Sequence, residues 1–277
     1  MELLKNQKNL IIWGVFLAVA AGVVYWPIVV PMIRQWAADD NYSHGFLVPF
    51  IAGYLAYMRR EDLLAAEVRP AESGLLLILF GLAMLLFGWL STEYFTMRAS
   101  LVVIIAGSVL YILGWRIFTI LLAPLIYLLL MIPIPYIIYD AAAFPLKLFV
   151  TKVSVLALKA MGIVIWQEGN ILMFPNITLE VADACSGLRS IMSLLALGTA
   201  YAFVLHSSVR DRVVLIASTL PIAVFTNCLR VIATGVLAQY FGAAAAEGFF
   251  HEFAGFFVFF AAVVMFVALG AALKRWS

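Results

Sequence analysis

The sequence predicts an all-α polytopic membrane protein of about eight transmembrane helices, with interfacial helices and a short β-hairpin in the outer loop before span six. Three observations predict it. Of 277 residues, 66% are hydrophobic and 12% charged, whereas a soluble domain has about 25% charged residues. The apolar excess is spread along the chain and not gathered into one anchor. The Lys and Arg residues between apolar stretches also favour one side of an alternating topology.

The elements follow in order. A crossing helix needs about 20 apolar residues, and candidate stretches lie at roughly 10–30, 44–58, 74–90, 99–114, 117–132, 186–206, 213–240 and 249–272. Lys5 and Lys8 before the first stretch resemble the start of a signal peptide, but the apolar run continues to Val30, beyond an ordinary h-region. It is therefore read as an uncleaved first span. The second and fourth stretches are the shortest. "IPIP" (132–135) ends the fifth, because proline biases its predecessor away from the helix. Residues 136–161 carry Lys147, Lys152 and Lys159 among apolar residues, which predicts one or two amphipathic helices at the outer interface with the lysines reaching the headgroups. "IVIWQEGNILMFPNITLEV" (163–181) predicts two short strands around "EGN". The whole of 1–277 forms one membrane-embedded domain, with 133–184 as its large outer loop.

With the N-terminus in the cytoplasm, eight spans place "RREDLLAAEVR" (59–69), Arg116, "RDR" (210–212) and "KR" (274–275) inside, and both termini with them. The loops 31–43, 91–98, 133–185 and 241–248 then lie outside. A net charge of +2 without a basic run argues against nucleic-acid binding. There is no Gly-rich phosphate loop and no zinc-type Cys/His spacing, so neither cofactor nor metal is expected. Two cysteines, Cys185 and Cys228, are too few for a disulfide framework.

Polar residues within apolar helices are the functional candidates, since a charged side chain there costs roughly 2.5–3.5 kcal/mol on insertion scales. Cys185 opens span six from the outside, next to Ser186, with Arg189 one turn deeper on the same face. Arg230 lies in the outer half of span seven, with Asn227 one turn away. His251 opens span eight from the outside. Three helix ends therefore carry a thiol, a histidine and two arginines to one membrane face. Each alone has a plain reading: an arginine snorkels, a border histidine is interfacial, a cysteine fills a core. Cys228 fits the last, since it lies about 200° around the helix from Arg230. Together they suit acyl transfer. A helix N-terminus, His⁺ or arginine lowers a thiol's pKa. A histidine can move the proton to a leaving amine, and an arginine can hold the developing oxyanion or pair with the thiolate.

"ACSGLR" (184–189), "NCLR" (227–230) and "HEFAG" (251–255), supported by "NYSHGFLVP" (41–49), "IPIP" and "EGN", resemble the exosortase/archaeosortase family of membrane cysteine transpeptidases over almost the whole chain. The resemblance implies an eight-span protein of the bacterial inner membrane with its active site facing outward. It implies Cys185, Arg230 and His251 as the catalytic triad, histidine at the third position favouring the bacterial branch. Its partners would be secreted proteins whose C-terminal sorting signal combines a short PEP-CTERM-like motif, a hydrophobic helix and a basic tail, in systems that accompany exopolysaccharide production. The chain ends after span eight, without the extra C-terminal domain of some exosortases. Arg189, Asn227, Ser186 and His44 are supporting or substrate-binding candidates. His44 stays open between a second base, a substrate contact and a structural polar residue. Two rival functions remain: a transporter or lipid-handling protein using Arg189 and Arg230 as an anion site, and a non-catalytic component of an exopolysaccharide export system.

Overall fold

The computed structural model describes residues 2–175, 177–181, 188–205, 208–242 and 249–276, with backbone alone for 2–14, 17, 18, 188–190, 249–254 and 276. Its helices are α1 (Glu2–Ala38), α2 (Val48–Met58), α3 (Arg60–Ala65), α4 (Ser73–Ser91), α5 (Tyr94–Leu113), α6 (Trp115–Tyr127), α7 (Tyr136–Ala160), α8 (Leu188–Leu205), α9 (Val209–Phe241) and α10 (Phe249–Trp276). Two 3-10 helices occupy Asp40–Phe46 and Leu128–Met131. Among the described residues, five helices are long and apolar enough to cross a membrane: α4, α5, α7, α9 and Gly255–Arg275 of α10. Trp115–Met131 and Ile191–Leu205 are shorter apolar helices.

Each of the eight expected stretches meets a helix, with two departures. The second expected span is a 3-10 helix followed by α2 of 11 residues, about 16 Å long and short of the roughly 30 Å hydrocarbon core. In place of one or two short interfacial helices, 136–160 is a single helix of 25 residues, apolar enough to cross by length and composition. Its Lys147 is buried and does not reach outward, whereas Lys152 and Lys159 are exposed. The chain falls into two compact units, Met1–Pro135 and Tyr136–Ser277.

In the first unit, α4 and α5 form an antiparallel hairpin. Gly74, Gly81 and Gly88 recur every seven residues on α4 and face Tyr111, Ile104 and Met97, which recur every seven on α5. A Cβ at Gly81 would stand 2.6 Å from Ile104 Cγ1, and one at Gly88 2.6 Å from Met97 Cγ. Small residues at the seam let two helix backbones approach closely where lipid gives no hydrophobic drive. Glu93 caps α5 by accepting from the Phe95 and Thr96 amides. α1 packs on α5 through Tyr25, which donates to Ser100 Oγ at 2.6 Å while Ser100 donates to the Met97 carbonyl.

After the 3-10 helix Leu128–Met131, Pro133 and Pro135 prevent helical continuation, so the carbonyls of this segment need other donors. Three side chains supply them. Trp36 Nε1 donates to Met131 O at 2.9 Å, Tyr42 Oη to Ile134 O at 3.1 Å, and His44 Nε2 to Leu130 O at 3.1 Å. Gly45 is required for this clasp, since a Cβ there would lie 2.6 Å from the Trp36 indole.

In the second unit, α7 packs on the later half of α9. Tyr139 and Ala143 cluster with Ile191 of α8, Ser154 Oγ donates to Cys228 O at 3.3 Å, and Leu158 fills the space left by Gly235. Strands β1 (Trp166–Glu168), β2 (Ile171–Met173) and β3 (Thr178–Glu180) form an antiparallel sheet in the order β1-β2-β3. The expected hairpin is thus present, with a third strand added. Gly169 takes φ 61° in its turn, a conformation that favours glycine. Leu172 and Leu179, directly paired, point into the core that Val150, Leu158, Cys228 and Val231 share.

Candidate active site

The helix contacts of the second unit fix which residues share a level. A Cβ at Gly198 of α8 would lie 2.8 Å from Phe266 of α10 and 3.2 Å from Thr219 Oγ1 of α9, and one at Gly270 would meet Tyr201 of α8. So α8 and α10 run parallel, and α9 runs opposite to both. Nine residues, about 13 Å of helix, separate Gly198 from Arg189. The same rise along α9 leads from Thr219 to Cys228, and back along α10 from Phe266 to Phe257. Arg189, Arg230 and the first turns of α10 therefore occupy one end of the unit.

Arg230 gives this end its firmest geometry. Its guanidinium atoms Nη2, Cζ and Nη1 stand 3.4, 3.6 and 3.8 Å from the position a Cβ would take at Gly255. His251 is the third residue of α10, four residues before Gly255, and residues four apart share a helix face. Asn227 is buried one turn before Arg230. Cys228 is buried against α7 in the Val150–Leu158 core, away from Gly255, and is the free cysteine among the described residues. The side chains of Arg189 and His251 lie outside the described residues, as do Cys185 and Ser186 entirely.

The chain on both sides of 182–187 is held at this end. Val181 N donates to Asn170 O at 2.9 Å, and Asn170 Nδ2 donates to Val181 O at 3.2 Å and to Glu180 Oε1 at 3.1 Å. Asn170 of "EGN" thereby ties the turn to the strand that leads toward Cys185. Val181 belongs to the same buried cluster as Cys228 and Val231. Sequence reasoning missed one feature here. Lys147, Thr151 and Ser154 are all buried on one stripe of α7, and Ser154 touches α9 at Cys228. Their i, i+4, i+7 spacing was the available signal. Among the described residues no group of His, Cys, Asp and Glu side chains is arranged to hold a metal ion.

His44 belongs to the first unit, and there its Nε2 is engaged with Leu130. A carbonyl only accepts, so Nε2 carries the proton of the neutral ring. Burial lowers the His44 pKa, against smaller opposing effects of the Leu130 and Asn41 carbonyls.

The sequence pattern described as transmembrane exosortase (Exosortase_EpsH) matches residues 36–268. The chain belongs to the transmembrane exosortase family. Exosortases are membrane proteins that process C-terminal sorting signals, so the substrates of this chain are proteins carrying such a signal. No curated protein and no solved structure matches it significantly. Within this exosortase the matched region takes in "ACSGLR", "NCLR" and "HEFAG", and with them every residue at the Arg230 end discussed above.

Proposed function

We propose that this exosortase is a cysteine transpeptidase that cleaves its substrates through a thioester on Cys185, with Arg230 and His251 as the other catalytic groups. The supporting observation is that Arg230 lies against Gly255 of α10, at the end of the unit where the chain flanking residue 185 is anchored. Cys185 lies three positions before Leu188 and four after Val181, so covalent reach keeps it within about 11 Å and about 14 Å of them.

In the reaction, the Cys185 thiolate attacks the scissile carbonyl and the carbonyl π electrons move to oxygen. Arg230 holds that oxyanion. The C–N bond then breaks, His251 delivers the thiol-derived proton to the leaving amine, and an acyl–sulfur bond remains. Water or an amine attacks the thioester and returns the thiol. Arg189, Ser186 and Asn227 support the site. His44 acts as a structural donor of the first unit.

We place the protein in the bacterial cytoplasmic membrane with both termini inside and the Arg230 end outside. α7 meets the start of α8 at Ile191 and the later half of α9 at Cys228 and Gly235, and a position in the outer leaflet preserves the eight-span parity. A substrate tail helix lies in the bilayer with its basic end at the cytoplasmic side, bringing the scissile bond to the outer face.

The test is processing in cells of a fusion bearing a C-terminal sorting signal from a secreted protein of the same genome. Cys185→Ala and Cys185→Ser are expected to abolish it. Wild-type processing by Cys185→Ala would sink the thioester and favour a transport or assembly role.

A further inference from the structure

We propose that the outer edge of β3 is the docking strand for the substrate: the extended segment of the sorting signal around the scissile bond adds to the sheet as a fourth strand. This deepens the reading of Cys185 as the nucleophile, and rests on it for the place where the bond is cut.

The register decides which main-chain groups point outward. Phe174 N donates to Ile177 O at 2.8 Å, and Val181 N to Asn170 O at 2.9 Å. Both pairs continue the register that sets Ile171 against Glu180, Leu172 against Leu179 and Met173 against Thr178. Bonded and non-bonded pairs alternate along an antiparallel ladder, so Leu172 and Leu179 exchange the bonds between β2 and β3. Thr178 and Glu180 therefore turn their N–H and C=O groups away from β2. Two donors and two acceptors stand on the outer edge, the two residues about 7 Å apart along the strand. Among the described residues, no further strand pairs with this edge and none bonds these four groups. Thr178 and Glu180 are exposed, while Leu179 between them is buried.

The chemistry of the substrate fits such an edge. A peptide bond inside a helix has its carbonyl engaged, so the segment to be cut must be extended. At a membrane border the backbone groups released in this way need partners. A strand edge supplies them whatever the side chains, which is how extended peptides are recognised by strand addition. β3 has three residues, enough for one local segment and too few for a long interface with a second copy. It also leads into the site. Cys185 follows Val181 by four positions, within about 14 Å. At about 3.3 Å per residue, the bond that meets Cys185 lies no more than about four residues from the docked ones.

Proline tests the edge group by group. It lacks an N–H, and a sheet tolerates it where that N–H faces outward on an edge strand. Thr178→Pro and Glu180→Pro each remove an outward donor and set a ring in the path of the incoming strand, with the bonds of Leu179 left in place. Gln167 is the matching control on the opposite edge. It pairs with Leu172, whose own bonds go to β3, so the Gln167 N–H also faces outward.

The experiment measures processing of the sorting-signal fusion in cells by full-length wild type, Thr178→Pro, Glu180→Pro, Thr178→Val, Gln167→Pro and Cys185→Ala, with the unfolding temperature of each purified protein. The two β3 prolines are expected to lose at least about tenfold, at unfolding temperatures close to that of Gln167→Pro. Thr178→Val and Gln167→Pro are expected within about threefold of wild type. A second measurement uses no proline. Thr178→Cys is placed in the Cys185→Ala/Cys228→Ala background, and single cysteines are walked through the fusion around its cleavage site. Side chains alternate faces along a strand, so the disulfide yield is expected to peak at every second position.

Processing within about threefold of wild type by both β3 prolines overturns the docking strand. So does a loss in Gln167→Pro as large as theirs, or a disulfide yield without alternation. If the β3 prolines fail to fold, the disulfide pattern decides. Wild-type processing by Cys185→Ala would sink the thioester alone, because the disulfide pattern reads docking without the nucleophile.

Discussion

Replacing His44 by phenylalanine tests the clasp that closes the first unit. The imidazole donates from Nε2 to the Leu130 carbonyl at 3.1 Å, and His44 is 8% exposed. Phenylalanine fills much of the same space without a donor. A buried group left without its partner costs about 1–3 kcal/mol, so a loss of about 2 kcal/mol is expected. At about 2–4 °C per kcal/mol for a chain of this size class, the unfolding temperature should fall by about 4–8 °C. Glutamine places an amide donor near the position of Nε2 and does not titrate, so His44→Gln is expected to recover most of the loss. Acid supplies a second readout. Burial holds the folded pKa of His44 below its ordinary value, so the unfolded chain takes up the proton first. The His44 contribution is complete above about pH 6.5 and is lost as pH falls through the lower folded pKa. Wild type in detergent should therefore lose stability on acidification more steeply than His44→Gln, measured by thermal unfolding at pH 7.5, 6.5 and 5.5. Equal unfolding temperatures for wild type and His44→Phe, or an undiminished acid response in His44→Gln, would refute the clasp. Loss of processing by His44→Phe at full stability would instead make His44 part of the chemistry.

Other expectations follow from the packing. Gly81→Leu drives a side chain into Ile104 of α5 across a seam that has no room for a Cβ, and overpacking of this kind costs about 1–3 kcal/mol, read as a lower unfolding temperature. Asn170→Ala removes the bonds from Nδ2 to Val181 and Glu180. It is expected to slow processing several-fold with a smaller change in stability, checked by comparing the rate with the unfolding temperature. A membrane-impermeant maleimide on intact cells is expected to label Cys185, and to leave Cys228 unmodified because the latter is buried against α7. Single cysteines placed at Pro135 and Gly162 in a cysteine-free background are both expected to react from outside. Labelling from opposite sides would show that α7 crosses the bilayer.

The positions and types of the long helices were legible because lipid imposes a simple rule: backbone donors and acceptors must be satisfied within each segment. Apolar runs consequently read as helices, and the ends of α8, α9 and α10 fell close to the expected borders. Polarity was equally legible, since Arg230 stands out in an apolar run. The 3-10 start of the second stretch was not, because His44 and its neighbours take their conformation from carbonyls about 90 residues away. The burial of Lys147 was hidden for the same reason. A lysine among apolar residues looks like a headgroup contact until the opposing helix is known.

The sequence by itself determined that the chain belongs in a membrane, where its helices run, and which polar residues stand out within them. Only the tertiary structure decided how their faces meet. It set α9 antiparallel to α8 and α10, turned Cys228 toward α7, and brought the guanidinium of Arg230 against Gly255. Local composition fixes whether a segment can be a buried helix. Which faces of two helices touch depends on the fit between surfaces, and residues distant in the chain determine that fit.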